Sequence, residues 1–96
     1  MVVLIGTVPY AATAEVAKCL GVYTKRKEVN ERRPTYIKMD GKNRFLWYHN
    51  QRWRFGVLDD RNKHDCDICC DDDASFSPEN VGSSWRARVS GLDFQV

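Results

Sequence analysis

Alternation of apolar and polar positions is clearest between Pro34 and Val57. Apolar residues recur there at every second position, the period of a strand, and not at every third or fourth, the period of a helix. The segment predicts three antiparallel strands joined by two tight turns. Asp40-Gly41 suits the first turn, because a two-residue hairpin needs positive φ at both central positions. His49-Asn50-Gln51 marks the second, where Asn tolerates the left-handed conformation. Gly56 signals a bulge or a close backbone approach near the end of the third strand. The alternation sorts the side chains onto two faces. One carries Ile37, Met39, Phe45, Trp47, Trp53, Phe55 and Val57, and is the expected core. The other carries Tyr36, Lys38, Arg44, Leu46, Tyr48, Arg52 and Arg54, and is the expected basic surface.

The pattern extends unevenly to the rest of the chain. Val2 to Val8 reads as a buried strand ended by Pro9. Ala11 to Leu20 has high helix propensity, with Thr13 as a candidate cap, but is short enough to be a structured loop instead. Gly21 to Thr24 opens another strand. Lys25 to Arg33 is polar and reads as a mobile connection, and Pro34 holds its last residue extended. Asp59 to Asn80 has no amphipathic period and is too long for an ordinary connection, so it reads as a functional or disordered loop. Ser77-Pro78-Glu79-Asn80 is a turn signal. Trp85 to Val89 alternates again, with Trp85, Ala87 and Val89 inward and Arg86 and Arg88 outward. Gly91 to Val96 is a short closing segment. The expected fold is all-β: one antiparallel meander of about five or six strands forming a small sandwich or open barrel around Trp47, Trp53 and Trp85, with at most one short helix.

Composition narrows the function. At 96 residues the chain is expected to form one domain, residues 1–96. Its net charge of +2 conceals a division. Lys18 to Arg54 holds eleven Lys and Arg against Glu28, Glu31 and Asp40. Asp59 to Glu79 holds eight acids against Arg61 and Lys63. The two parts are expected to attract each other. No run is long enough to span a membrane. The apolar start lacks the basic region of a secretory leader and reads as the first strand. Three of the four cysteines crowd within five positions, unlike a secreted disulfide framework, which points to reduced thiols and a cytoplasmic location.

The order Gly21-Val22-Tyr23, Val29-Asn30, Arg33-Pro34-Thr35-Tyr36, Phe45-Leu46-Trp47-Tyr48, Trp53-Arg54-Phe55-Gly56, Ser77-Pro78, Trp85 resembles a tryptophan-rich β-domain that recurs in uncharacterised eukaryotic proteins. The resemblance covers residues about 2 to 90. It implies a compact antiparallel fold and carries no activity and no catalytic residues.

The densest chemistry is His64-Asp65-Cys66-Asp67-Ile68-Cys69-Cys70-Asp71-Asp72-Asp73. Cys66-x-x-Cys69 has the spacing of half a zinc knuckle, and His64 or Cys70 would add ligands. No second cysteine pair follows, so zinc competes with a plain acidic surface loop bearing free thiols. A redox pair is disfavoured on sequence. Thioredoxin-type thiols are acidified at a helix N-terminus, whereas five aspartates here should raise the thiol pKa. Calcium is not matched either: counting from Asp65, Cys70 and Phe76 stand where a calcium loop needs Gly and Glu.

The basic face, Tyr36, Lys38, Arg44, Tyr48, Arg52 and Arg54 with Arg86 and Arg88, fits a protein or peptide partner, because Arg, Tyr and Trp are favoured at such surfaces. Nucleic acid is the alternative, through base stacking on the tyrosines and phosphate contacts from the cations. His49 and His64 are the sole histidines, and no nucleophile elbow, phosphate-binding loop or facing carboxylate pair occurs. The expectation is a non-catalytic interaction module.

Overall fold

The structure, a computed structural model, describes residues 2–6, 14–40, 43–57, 66–82, 85–87 and 93–95. Among these, eight strands occur in order: β1 (Val2–Gly6), β2 (Gly21–Asn30), β3 (Arg33–Lys38), β4 (Phe45–His49), β5 (Arg52–Gly56), β6 (Ile68–Cys70), β7 (Trp85–Ala87) and β8 (Asp93–Gln95). A four-residue helix, α1 (Ala14–Ala17), lies between β1 and β2, and a 3-10 turn spans Pro78–Asn80. Each strand pairs antiparallel with the next, and β8 returns to β1, so the meander closes into a barrel. The all-β antiparallel class is as the alternation predicts. The strand number is higher because β6 and β8 are three residues each, in stretches too short for alternation to register.

Two hairpin turns fix the register. Glu31 and Arg32, at φ 47° and 65°, join β2 to β3; Asn50 and Gln51, at φ 50° and 66°, join β4 to β5. Left-handed pairs of this kind match the twist of the flanking strands. The second turn therefore has two residues, not the three of His49-Asn50-Gln51. His49 pairs with Arg52, Tyr48 with Trp53, and Leu46 with Phe55. A one-residue slip moves every side chain of a strand to the other face. Trp53 and Phe55 thus share a face with Tyr36, Leu46 and Tyr48, and Trp47 shares the opposite face with Arg54.

The barrel interior holds Tyr23, Tyr36, Leu46, Tyr48, Trp53, Phe55, Ile68, Cys70 and Trp85. An eight-stranded barrel is just wide enough for side chains to fill it. Its rings meet at angles: Tyr23 on Phe55 at 5.0 Å, Tyr48 on Trp53 at 5.5 Å, and Phe55 on Trp85 at 5.4 Å between centroids. Each large apolar side chain taken from water contributes on the order of 1.5–3 kcal/mol. Trp53 and Trp85 belong to this interior. Trp47 does not: it is fully buried on the outer face with Phe45 and Cys66, and Ile37 and Cys69 pack beside them.

Both barrel ends are closed. At one, Val16 of α1 enters the interior cluster and the Tyr23 hydroxyl donates to the Cys19 carbonyl at 2.7 Å. Burial pushes the Tyr23 pKa up. At the other, the segment after β6 crosses the mouth. The Tyr48 hydroxyl donates to the Asp73 carbonyl at 2.9 Å, and Trp53 Nε1 donates to the Ser75 carbonyl at 3.1 Å.

Lys25 to Arg33 is not a loose connection. Its first six residues, Lys25 to Asn30, complete β2, Glu31 and Arg32 form the turn and Arg33 opens β3; β2 pairs with β3 on one side through Val29↔Pro34 and Asn30↔Arg33, with an irregularity between Lys25 and Val29. Its side chains are mostly exposed, so no apolar alternation announced the strand. No helix among the described residues is long and apolar enough to cross a membrane.

Candidate functional site

β6 lies inside the acidic stretch and inserts between β5 and β7, pairing Cys69 with Arg54 on one side and Arg86 on the other. Ile68 and Cys70 face inward, fully buried, while Cys69 faces out. Successive residues of a strand point to opposite faces. The Cys70 sulfur accepts from the Trp53 backbone N–H at 3.2 Å inside the barrel. Cys70 therefore cannot join Cys66 and Cys69 around one metal, as the zinc reading needed. His64, the other candidate ligand, lies outside the described residues. Among the described residues, no group of three metal-ligating side chains forms.

The expected basic face is dismantled by the register and by the acids. Tyr36 and Tyr48, each 5% exposed, are barrel-core rings and give no stacking platform. Burial raises both tyrosine pKa values. Lys38 is buried at a barrel end, its Nζ 2.6 Å from the Lys18 carbonyl and 2.9 Å from Asp40. Arg44 is buried, with Nε 3.5 Å from Asp67. Arg54 is buried, donating from Nε to the His49 carbonyl at 3.1 Å. Arg52 and Arg86 remain accessible, but Arg52 is 2.8 Å from Asp72 and Arg86 is 3.7 Å from Asp71. Arg88 lies outside the described residues. The attraction between the basic and acidic parts is thus satisfied within the chain, on the arginines expected to receive a partner.

The same packing gathers a different site. Arg54, Cys69 and Arg86 stand in one cross-strand row. Arg52, two residues from Arg54, donates to Asp72 at 2.8 Å. Cys69 packs against the outer-face cluster that holds Cys66, and Arg54 Nη1 lies 3.9 Å from the Cys66 sulfur. Cys66 is buried and Cys69 half-buried. The hydrogen bond from Cys66, with Arg52 and Arg54 alongside, pulls the Cys69 thiol down from 9.0 to about 6. The same bond, with burial, pushes Cys66 up. For Cys69 alone this reverses the sequence expectation that aspartates would hold these thiols protonated; Cys66 stays protonated. Asp71 and Asp72 are spent on Arg86 and Arg52. Asp67 turns to Arg44 and to Cys19, whose sulfur lies 3.7 Å from it. The Asp73 carboxylate accepts from the Ser75 amide and hydroxyl and from the Gly82 amide.

A second feature escaped the sequence reading. β2 is ten residues long, yet β1 covers only Gly21, Val22 and Tyr23. Among the described residues no strand lies beside Thr24 to Asn30 on the β1 side. Lys25 and Lys27 are exposed along this overhang and Arg32 in the turn just beyond it, and Val29 is 66% exposed. The acids of this strand and its turn are engaged. Glu28 pairs with Arg26 at 2.6 Å, and Glu31 accepts from the Asn50 amide and contacts His49 Nδ1 at 2.7 Å. Arg33 stacks over the Tyr48 ring at 3.8 Å and donates to the Ser75 and Ala74 carbonyls, so the hairpin base is rigid. The charge run from Lys25 to Arg33 was the available signal; only the short overlap with β1 makes it an edge.

A comparison of the chain with models of known protein families, with curated proteins and with solved structures finds no match.

Proposed function

We propose that the chain is a non-catalytic interaction module that takes up an extended, acidic peptide segment of a partner protein along β2. The observation that carries this reading is the overhang: seven residues of β2, Thr24 to Asn30, lie beyond the reach of β1. An open strand edge offers backbone donors and acceptors to an added strand, and side chains along it set which strand fits. Lys25, Lys27 and Arg32 favour carboxylates, and Val29 favours an apolar residue between them. A filled barrel supports the same reading, because it leaves the outside of the molecule as the place for binding. Nucleic acid fits less well. Phosphate would meet the same cations, but Tyr36 and Tyr48 are enclosed and give no bases a ring to stack on.

The test is fluorescence anisotropy with a labelled peptide of alternating Glu and Val, a Lys/Val control, and a single-stranded oligonucleotide. The reading expects salt-dependent binding of the acidic peptide alone, weakened at least tenfold in a Lys25→Glu/Lys27→Glu variant, where about 1.4 kcal/mol is a factor of ten. Binding of the oligonucleotide in preference to the peptide, or peptide binding indifferent to the two lysines, overturns it.

A further inference from the structure

We propose that Cys66 and Cys69 form a dithiol–disulfide exchange site that accepts small anionic disulfides. The observations are spatial. Two thiols three residues apart share the outer face of the barrel, Cys66 in the buried cluster with Phe45 and Trp47 and Cys69 packed against that cluster. Cys69 is the accessible one and Cys66 the enclosed one, which separates an attacking sulfur from a resolving sulfur. Arg54 and Arg86 flank Cys69 from the neighbouring strands, and Arg54 Nη1 lies 3.9 Å from the Cys66 sulfur. Cations beside a sulfur favour its thiolate, the form that attacks disulfides. Arg86, exposed beside Cys69 and only loosely paired with Asp71 at 3.7 Å, would receive a carboxylate of an incoming disulfide. Cys19 and Cys70 have no part in this: both are fully buried, and Cys70 faces the barrel interior.

The exchange has two steps. The Cys69 thiolate attacks one sulfur of the disulfide, forming a mixed disulfide and expelling the other half as a thiolate. Cys66 gives up its proton to solvent and attacks the Cys69 sulfur, expelling the second half. The protein loses two electrons and two protons and gains one intramolecular bond; the small disulfide is reduced to two thiols. Each sulfur–sulfur bond formed is matched by one broken.

Oxidised glutathione, which bears carboxylates, and cystamine, which bears amines, are the probes, with intact-mass spectrometry and peptide mapping as the readout. The wild-type chain is expected to lose two hydrogens in mass, with the bond mapped to Cys66–Cys69. Cys66→Ser is expected to trap one glutathionyl group on Cys69, and Cys69→Ser to take up neither. Arg86→Ala, at an exposed position, should slow the reaction with oxidised glutathione roughly threefold and leave cystamine unslowed, since only the anionic probe uses that charge. Labelling at Cys19 or Cys70, no reaction at Cys69 in a chain with an unaltered melt, or equal rates for the two probes with and without Arg86 overturns the proposal. This readout is independent of the peptide assay, so either can fail alone.

Discussion

Cys69 and Cys70 are adjacent in sequence and opposite in consequence, so replacing each with serine tests the strand that the acidic stretch conceals. Cys70 is 1% exposed, in the cluster with Tyr48, Trp53, Phe55 and Trp85, and its sulfur accepts from the Trp53 amide at 3.2 Å. Cys70→Ser puts a hydroxyl where the sulfur was. Burying a hydroxyl without full compensation costs about 1–3 kcal/mol, and the Trp53 amide recovers up to about 1 kcal/mol of it. The net loss is about 1–2 kcal/mol. In a domain of this size each kcal/mol moves the melting temperature by roughly 4–8 °C, so Tm should fall by roughly 4–16 °C. Cys69 is half-buried on the outer face, and Cys69→Ser should stay within about 0.5 kcal/mol, under roughly 4 °C. Thermal melts by circular dichroism under reducing conditions measure both. Equal shifts, or a larger loss for Cys69→Ser, would mean that residues 68–70 are not held as β6, and the arrangement of arginines around Cys69 would go with it.

Other outcomes follow from single contacts. Cys19 is fully buried beside Asp67, and burial first and that carboxylate second push its thiol up from 9.0 to about 12. A pKa raised by folding lends stability that is whole below the unfolded value and lost as pH rises toward the folded one, so denaturation midpoints should fall between about pH 9 and pH 12; a midpoint that holds or rises there refutes the enclosure of Cys19. Glu31→Gln weakens the clip between the β2–β3 turn and the β4–β5 turn at His49 and Asn50, a surface contact, and should lower stability by under about 1 kcal/mol in urea titration; a loss of several kcal/mol would show a larger role. Gly21→Ala places a side chain at φ +139°, with its Cβ 2.7 Å from Cε of the tethered Lys38, and should cost roughly 1–3 kcal/mol in the same titration; a neutral result would contradict that backbone.

Much of the fold was legible because β4 and β5 alternate cleanly within themselves. What the alternation could not decide was which face of β4 turned inward. Phe45 and Trp47 on one side and Leu46 and Tyr48 on the other are all apolar enough for a core, and all four are buried. The decision fell to the turn. Reading three residues into His49-Asn50-Gln51 joined Trp47 to Trp53; two left-handed residues, Asn50 and Gln51, join Tyr48 to Trp53 instead. β2 beyond Thr24 was illegible for another reason: a strand paired on one side and wet on the other needs no apolar period. β6 was hidden by its aspartates, because only Ile68 and Cys70 face inward and three residues make no pattern.

The site was legible as two halves with no link between them. The Cys66-x-x-Cys69 spacing and the arginines of β5 and β7 were both visible, but one was read as a metal candidate and the other as a partner surface. Their meeting depends on β6 inserting between β5 and β7, a pairing about 15 residues away in sequence on each side. The sign of the electrostatics changed with it. Counting nearby aspartates predicted a suppressed thiolate; Asp71 and Asp72 pair with Arg86 and Arg52 instead, and the Cys66 thiol first, with Arg52 and Arg54 after it, lowers the Cys69 pKa.

The most direct test of the account is a NOESY spectrum of labelled protein that maps the neighbours of residues 69 and 70. Insertion of β6 between β5 and β7 predicts backbone contacts from Cys69 to both Arg54 and Arg86, together with contacts from the Cys70 Cβ protons to the ring protons of Trp53 and Trp85. Contacts of Cys69 to neither arginine, or Cys70 protons that meet only solvent, would contradict it.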